Sequence, residues 1–387
     1  MTRRPLRVLA PDDTVRRISR RLFLSGLAAA GSSAALAACG AGDAIAPSLD
    51  PDGEMESQLN VYTWGEYDDP DVIDAFSARH GVRVQMDNFG SNEEMMAKLG
   101  AARGTSGYDI IVPTGIYIPM MAERGLLQPL DHGLLPNLRN LSPAIADQDW
   151  DPGNEYSVCK AWGTTGYVYD RTVITRPMTS WEDFLLAAQD EASGSTTVLE
   201  DPWEVCAIWL AAQGEDVNTD DPELLQLCED ALVDSLAPHL RAFVSTATTG
   251  VVQGSFALIQ AYNGDARQAL METGEPERWE FVFPTPTANL WMDNWCIAAG
   301  TQHPDAAYAF IDAMLDPEAA FAQMDYVGYD TGVVGLRERA EQEELDFPEI
   351  VFPDQEILDR LTASEYNDGM EKRVIAYDRL VAESGAA

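Results

Sequence analysis

The sequence predicts an α/β fold of two lobes, each a mainly parallel sheet flanked by helices. Strand-like and helix-like segments alternate at short intervals from residue 58 onward, the pattern of strands joined through crossover helices. The 330 residues after position 57 exceed a typical domain and suit two lobes with separate cores. Aromatic and acidic residues recur at the predicted strand ends, where sheets of this kind bind ligands.

In the first lobe, residues 59–64 read as a strand. A helix over 70–79 puts Val72, Ile73 and Phe76 on one face and stops at Gly81. Residues 82–89 alternate as a second strand. Ser91 with Glu94 is a capping box for a helix carrying Met95, Met96 and Leu99. A short apolar strand spans 108–113, and a helix over 119–123 stops at Gly125. The strand-end rule therefore selects two loops, Trp64-Gly65-Glu66-Tyr67 and Thr114-Gly115-Ile116-Tyr117.

The second lobe begins near Trp162-Gly163 with a strand over 166–169, and Ser180 caps a helix bearing Trp181 and Phe184. Residues 197–199 form a strand ending at Glu200-Asp201-Pro202-Trp203-Glu204, followed by helices over 204–213 and 222–236. Further strands fall at 256–260 and 281–284; the chain then passes through Trp291-Met292-Asp293-Asn294-Trp295-Cys296-Ile297, and helices dominate the remainder.

The first 38 residues read as a leader. Arg20 and Arg21 directly precede an apolar run, Leu22 to Ala38, that closes on Leu36-Ala37-Ala38-Cys39. The paired arginines resemble a Tat export signal, and Leu-Ala-Ala-Cys resembles a lipobox in which Cys39 becomes a lipidated N-terminus. A membrane-spanning helix is the alternative, but the run is short and richer in Ala than in Leu. Stable anchoring needs two lipid chains. Residues 39–57 read as a flexible tether, placing the protein on the outer face of the cytoplasmic membrane.

The chain carries 64 acidic and 25 basic residues, a formal charge of −39, with lysine only at 98, 160 and 372. Such a surface repels itself at low ionic strength. In molar salt the Debye length falls to ~3 Å, so the composition reads as adaptation to a hypersaline medium. With no basic stripe, nucleic acid is excluded as a partner. Cys159, Cys206, Cys228 and Cys296 allow three pairings, of which Cys206–Cys228, on consecutive helices, is favoured. The scattered histidines and absent C-x-x-C spacing give no metal or cofactor site.

The strand-end loops share a chemistry. Trp64, Glu66 and Tyr67 lie in one, Asp201, Trp203 and Glu204 in another, then Tyr262 with Asp265, Trp291 with Asp293, and Tyr326 and Tyr329 about Gly328. Aromatic faces attract cations and carboxylates form charge-assisted hydrogen bonds, so the pattern fits ammonium groups. Taken singly, each has an ordinary reading: a carboxylate in so acidic a chain is solvated surface, a Trp is core, and Asp201 before Pro202 is a helix N-cap with Glu204 at N3.

In order along residues 58–380, Tyr62-Thr63-Trp64-Gly65-Glu66-Tyr67, then Ser91-Asn92-Glu93-Glu94-Met95-Met96-Ala97-Lys98-Leu99, then Tyr108-Asp109 to Val112-Pro113-Thr114, then Trp291-Met292-Asp293 resemble motifs of the polyamine-binding proteins of ABC importers, the spermidine/putrescine type, here in a haloarchaeal-type Tat lipoprotein. The resemblance implies a type II periplasmic-binding-protein fold that closes on ligand in its interlobe cleft, with 58–162 and 293–337 in lobe 1 and 163–292 and 338–387 in lobe 2. Hinges would fall near Trp162-Gly163, Met292-Asp293 and residues 336–345. It implies a monomer that delivers a small polycationic amine to an ABC permease. By motif, Trp64, Glu66, Tyr67 and Thr114 are the first-lobe contacts, Asp201 and Glu204 receive an amine, Trp291 and Asp293 hold the opposite end, and Tyr262, Tyr329 and Asn367 line the site. Ile116, Tyr262 and Gly65 depart from the family's usual residues and bear on which amine is bound.

An enzyme is not expected. Asp201 and Glu204, three apart at one helix start, lie on one side of a ligand rather than flanking a bond, and no nucleophile, zinc or phosphate-loop motif is present. The alternative is a binding protein of the same fold for another solute: thiamine, ferric iron held by tyrosines, or another cationic organic compound.

Overall fold

The computed structural model describes residues 49–102 and 107–385. Arg20, Arg21, Cys39 and the expected leader lie outside the described residues.

The first lobe is built on β1 (Gln58–Trp64), β2 (Arg83–Phe89) and β3 (Ile110–Ile111). β1 pairs in parallel with both neighbours, as the intervening helices Pro70–His80 and Asn92–Ala102 require. Asp69 caps the first helix and Gly81, at φ 71°, ends it in the left-handed region. Ser91 and Glu94 form the expected box: the Ser91 hydroxyl accepts from Glu94 N, and Glu94 reaches back to Gly90 N.

The long strand β4 (Ser157–Asp170) then crosses between lobes. The second lobe holds β5 (Thr196–Leu199), β6 (Leu240–Val244) and β7 (Leu258–Tyr262), parallel about β5. β8 (Trp279–Val282) runs antiparallel along β4. β9 (Ala288–Ile297) returns the chain antiparallel to β4 and β3, and β10 (Leu361–Ala363) adds to β9. The strand order is β2-β1-β3-β9-β4-β7-β5-β6. Each lobe is thus parallel in its own strands and mixed where the crossing strands join it. Separate cores form about Leu59, Ile110, Trp295 and Phe310, and about Tyr167, Trp181, Phe184 and Val198.

Several expectations change. β4 begins at Ser157 rather than at residue 166; it is buried along its whole length, so it shows no alternation. β7 lies two residues later than expected, which makes Tyr262 its last residue. β6 and the helix Thr248–Gln253 were not expected. Cys206 and Cys228 are not bridged; all four described cysteines are buried and free, and the Cys228 thiol points to the Cys206 carbonyl at 3.6 Å. The described end of the expected tether is not loose: Asp52 N and Gly53 N donate to Asp305, and Glu56 accepts from Asp305 N and Ala306 N at the start of the helix Pro304–Met314. Among the described residues no helix is long and apolar enough to cross a membrane.

Candidate functional site

Two crossings run side by side. Trp162 pairs with Met292 and Gly163 with Trp291; β4 leaves β9 after Thr164 and joins β7 from Thr165. A side chain at Gly163 is excluded, because its Cβ would stand 2.5 Å from both Asn263 Oδ1 and the Trp291 ring. Asn263 accepts from Thr164 N at 3.0 Å and donates to the Ile350 carbonyl at 2.9 Å, fastening the crossing to the second lobe.

Asp293 sits at this crossing, 7 % exposed. Its Oδ1 accepts from Thr114 Oγ1 at 2.7 Å, and Asn92 holds Thr114 through two further bonds. Burial pushes the Asp293 carboxyl up to about 6, against the lowering effect of Thr114, Tyr67 and Lys160. The Tyr67 hydroxyl stands beside Asp293 without making a hydrogen bond of good geometry.

Across the cleft, Asp201 caps the helix Pro202–Gln213 by accepting from Trp203 N and Glu204 N. The capping role read from sequence is therefore real, and both bonds fall on Oδ1. Glu204 is buried, and Thr165 Oγ1 and Asn289 Nδ2 each donate to it at 2.7 Å. Burial and then the Asp201 charge push Glu204 up to about 8. Asp265 accepts from the Tyr329 hydroxyl at 2.9 Å, and burial raises it to about 6.

Aromatic rings fill the space between. Trp291 meets Tyr329 edge-on at 4.8 Å and Tyr262 at 5.7 Å, and Tyr329 meets Tyr67 at 5.9 Å. These rings and Trp64 pack into one cluster with Ala161 and Val327. The Tyr262 phenol is held well above its ordinary range by burial and then by Asp201, Glu204, Asp265 and Asp293. Four carboxylates from three elements thus bear on one ring: Asp201 and Glu204 from one helix start, Asp265 from the helix Asn263–Glu272 and Asp293 from β9. Gly264 lets this happen, since a Cβ there would lie 2.4 Å from the Tyr329 ring. Gly264→Ala is therefore expected to displace Tyr329, weaken ligand binding at least about tenfold and lower stability by ~1–3 kcal/mol, read by calorimetry and thermal melting.

Of the residues selected from sequence, Trp64, Tyr67, Thr114, Asp201, Glu204, Tyr262, Trp291, Asp293 and Tyr329 come together. Glu66 does not: it is exposed, at φ 55°, outside the cluster. Glu66→Gln should leave ligand affinity within about threefold of the parent by calorimetry, because an exposed charge pair contributes little. Tyr326 is also on the surface. Asn367 is spent on Gly369 N and the Asn218 carbonyl. At the position where Ile116 departs from the motif, its neighbour Tyr117 supplies the ring: Tyr117 donates to Glu93 and lies 5.4 Å from Tyr366, which leads into the helix Met370–Ser384 on the second lobe.

Sequence reasoning does not single out Glu93 or Lys160. The usable signals were present: Glu94 alone satisfies the capping box, which frees Glu93, and Lys160 is one of three lysines. Among the described residues, no His, Cys, Asp or Glu cluster is arranged to hold a metal ion. A separate surface groove of about 780 Å³, lined by Trp279, Phe281, Phe347 and Phe352, contains none of the site residues.

Residues 71–345 match the family described as bacterial extracellular solute-binding protein. Among curated relatives, spermidine/putrescine-binding periplasmic protein 1 of Haemophilus influenzae is 29 % identical over 357 residues, 92 % of this chain and 96 % of that protein. The spermidine/putrescine ABC transporter substrate-binding protein PotD of Streptococcus pneumoniae, solved in complex with calcium and HEPES, superposes with a TM-score of 0.72 at 32 % identity, covering 85 % of this chain and all of that one. The PotD-type lipoprotein of Treponema pallidum superposes with a TM-score of 0.72 at 25 % identity, over 84 % and 99 % of the two chains. The two crossing strands, the rings and carboxylates gathered where they meet and the matched length all agree: this chain belongs to the bacterial extracellular solute-binding protein family.

Proposed function

We propose that the chain is the capture subunit of an ABC importer and that its ligand is a small polycationic amine such as putrescine or spermidine. The convergence of Asp201, Glu204, Asp265 and Asp293 about Tyr262 carries this reading. Carboxylates taken out of water are costly unless paired, and a ligand with several ammonium groups pairs them at once. Trp291 and Tyr329 supply aromatic surface for the ammonium centres and for the methylenes between them. The names of the curated relatives agree with this ligand class.

The site favours an amine over ferric iron. Burial and neighbouring carboxylates raise the Tyr67, Tyr262 and Tyr329 phenols, which adds to the cost of forming the phenolates that ferric iron requires. The role is capture, with closure of the lobes presenting a changed surface to the permease. The lobes divide as 58–162 with 293–352, rather than the 293–337 expected from the motifs, against 163–292 with the C-terminal segment. The third crossing falls after Phe352, because Ala340, Val351 and Phe352 pack into the first-lobe core. Cys39 carries the lipid anchor after Tat export, the protein acts as a monomer, and the charge of −39 suits a saline exterior. The lipoprotein from Treponema pallidum is a precedent for anchoring in this fold.

Calorimetry in molar salt with putrescine, cadaverine, spermidine, spermine and thiamine tests the ligand class. At least one di- or polyamine should bind with a Kd below ~100 µM, about −5.5 kcal/mol. Binding of thiamine alone would transfer the assignment to the alternative.

A further inference from the structure

Lys160 is 4 % exposed and sits where the pairing of β4 with β9 shifts register between Cys159 and Ala161. A bulge of this kind re-aims a side chain. Here it turns the ammonium under the first-lobe loop, where Nζ donates to the Tyr67 carbonyl at 2.7 Å and to Asp68 Oδ1 at 2.8 Å. Nζ also lies 4.3 Å from the Tyr67 ring centroid and 4.5 Å from that of Trp295. The other Asp68 oxygen accepts from Thr63 Oγ1, and Asp69 N donates to Gln323, so the loop is strapped on both sides.

A buried ion pair seldom stabilises a fold more than apolar residues of the same shape do, so stability alone does not explain this lysine. Its position does. The groups whose charge or hydrogen bonds bear on Asp293 are Tyr67, Thr114, Tyr262, the Cys159 thiol and Lys160, and Lys160 alone is cationic. The aromatic box of Tyr67 and Trp295 is already filled by an ammonium from the chain itself.

We propose that Lys160 is a positioning residue of the cleft: its ammonium fixes the Tyr67 loop against the crossing strand and supplies the positive field at Asp293. The inference deepens the amine reading and rests on Asp293 as a ligand carboxylate. The box beside Asp293 is closed to a ligand ammonium, because Lys160 occupies it.

The test compares the full chain with the double variant Asp68→Asn/Lys160→Gln, which keeps hydrogen-bonding groups at both positions and leaves no buried unpaired charge. Asp293 is followed by carboxyl-carbon NMR of aspartate-labelled, ligand-free protein, and spermidine affinity is measured at pH 6 and pH 8.5. The variant should fold and melt within a few degrees of the parent. Its Asp293 midpoint should rise by about half a pH unit or more, and its affinity should fall at least threefold further at pH 6 than at pH 8.5. An unmoved Asp293 midpoint, or an equal loss of affinity at both pH values, overturns the proposal. Should the parent bind no amine at all, the amine reading fails, while the Asp293 midpoint still decides the role of Lys160. Lys160→Met alone is expected to melt much lower, since it strands Asp68 in the interior; an undiminished melting temperature also counts against the proposal.

Discussion

Replacing Asp293 by Asn should abolish amine binding while leaving the ligand-free protein as stable as the parent, or more stable. The side chain is nearly sealed from water, and its one good protein hydrogen bond comes from Thr114 at 2.7 Å. Asparagine keeps an oxygen for Thr114 and removes only the charge. The burial penalty that lifts this carboxyl to about 6 disappears with it. A desolvated charge pair truncated on one side loses ~2–5 kcal/mol of binding, roughly thirtyfold to several thousandfold in Kd. Calorimetry gives the affinity and thermal melting the stability. A variant that binds normally, or that loses binding and folding together, assigns Asp293 to the scaffold.

Acidity should affect the empty and the loaded protein in opposite directions. Asp265 and Asp293 are raised to about 6 and Glu204 to about 8, in each case first by burial. In the unfolded chain carboxyls titrate near ~4. Between these values the folded state binds more protons than the unfolded state, so the stability of the closed, ligand-free form falls as pH rises. The penalty is absent below about 4 and complete above about 8. A bound polycation needs the charged carboxylates, so binding expels protons and affinity climbs over the same range. Between pH 5.5 and 8.5 the melting temperature without ligand should therefore drop, and spermidine affinity should increase at least about tenfold. Calorimetry in buffers of different ionisation enthalpy should register proton release. Affinity independent of pH would mean that these carboxylates do not meet the ligand.

How much of this could be read from sequence depended on where the signal lay. Helices with local punctuation were legible: Gly81, Ser91 with Glu94, and Asp201 mark their ends through side-chain and backbone bonds a few residues apart. The parallel strands β1, β2, β3, β5 and β7 followed from their spacing, whereas β6 and β10 did not. The crossing strand β4 did not, because a segment buried on both faces has no alternation, and Lys160, Ala161, Gly163 and Gly166 give it an un-strand-like composition. The site was legible where a residue type is informative in itself, as at Trp291 and Asp293. It was illegible where tertiary structure assigns the role: Glu66 and Glu93 are both exposed carboxylates, yet only Glu93 is paired with Tyr117. The cysteines misled for a related reason, since two thiols on adjacent helices can pack without bonding.

A crystal structure with the tightest-binding amine tests the reading of the cleft most directly. One ammonium nitrogen should lie within about 3 Å of the Asp293 carboxylate, with the ligand's methylenes against Trp291 and Tyr329 and its other cationic end toward Asp201 and Glu204. An amine found elsewhere, for example in the groove beside Phe281 and Phe347, with the cleft carboxylates unengaged, would contradict it.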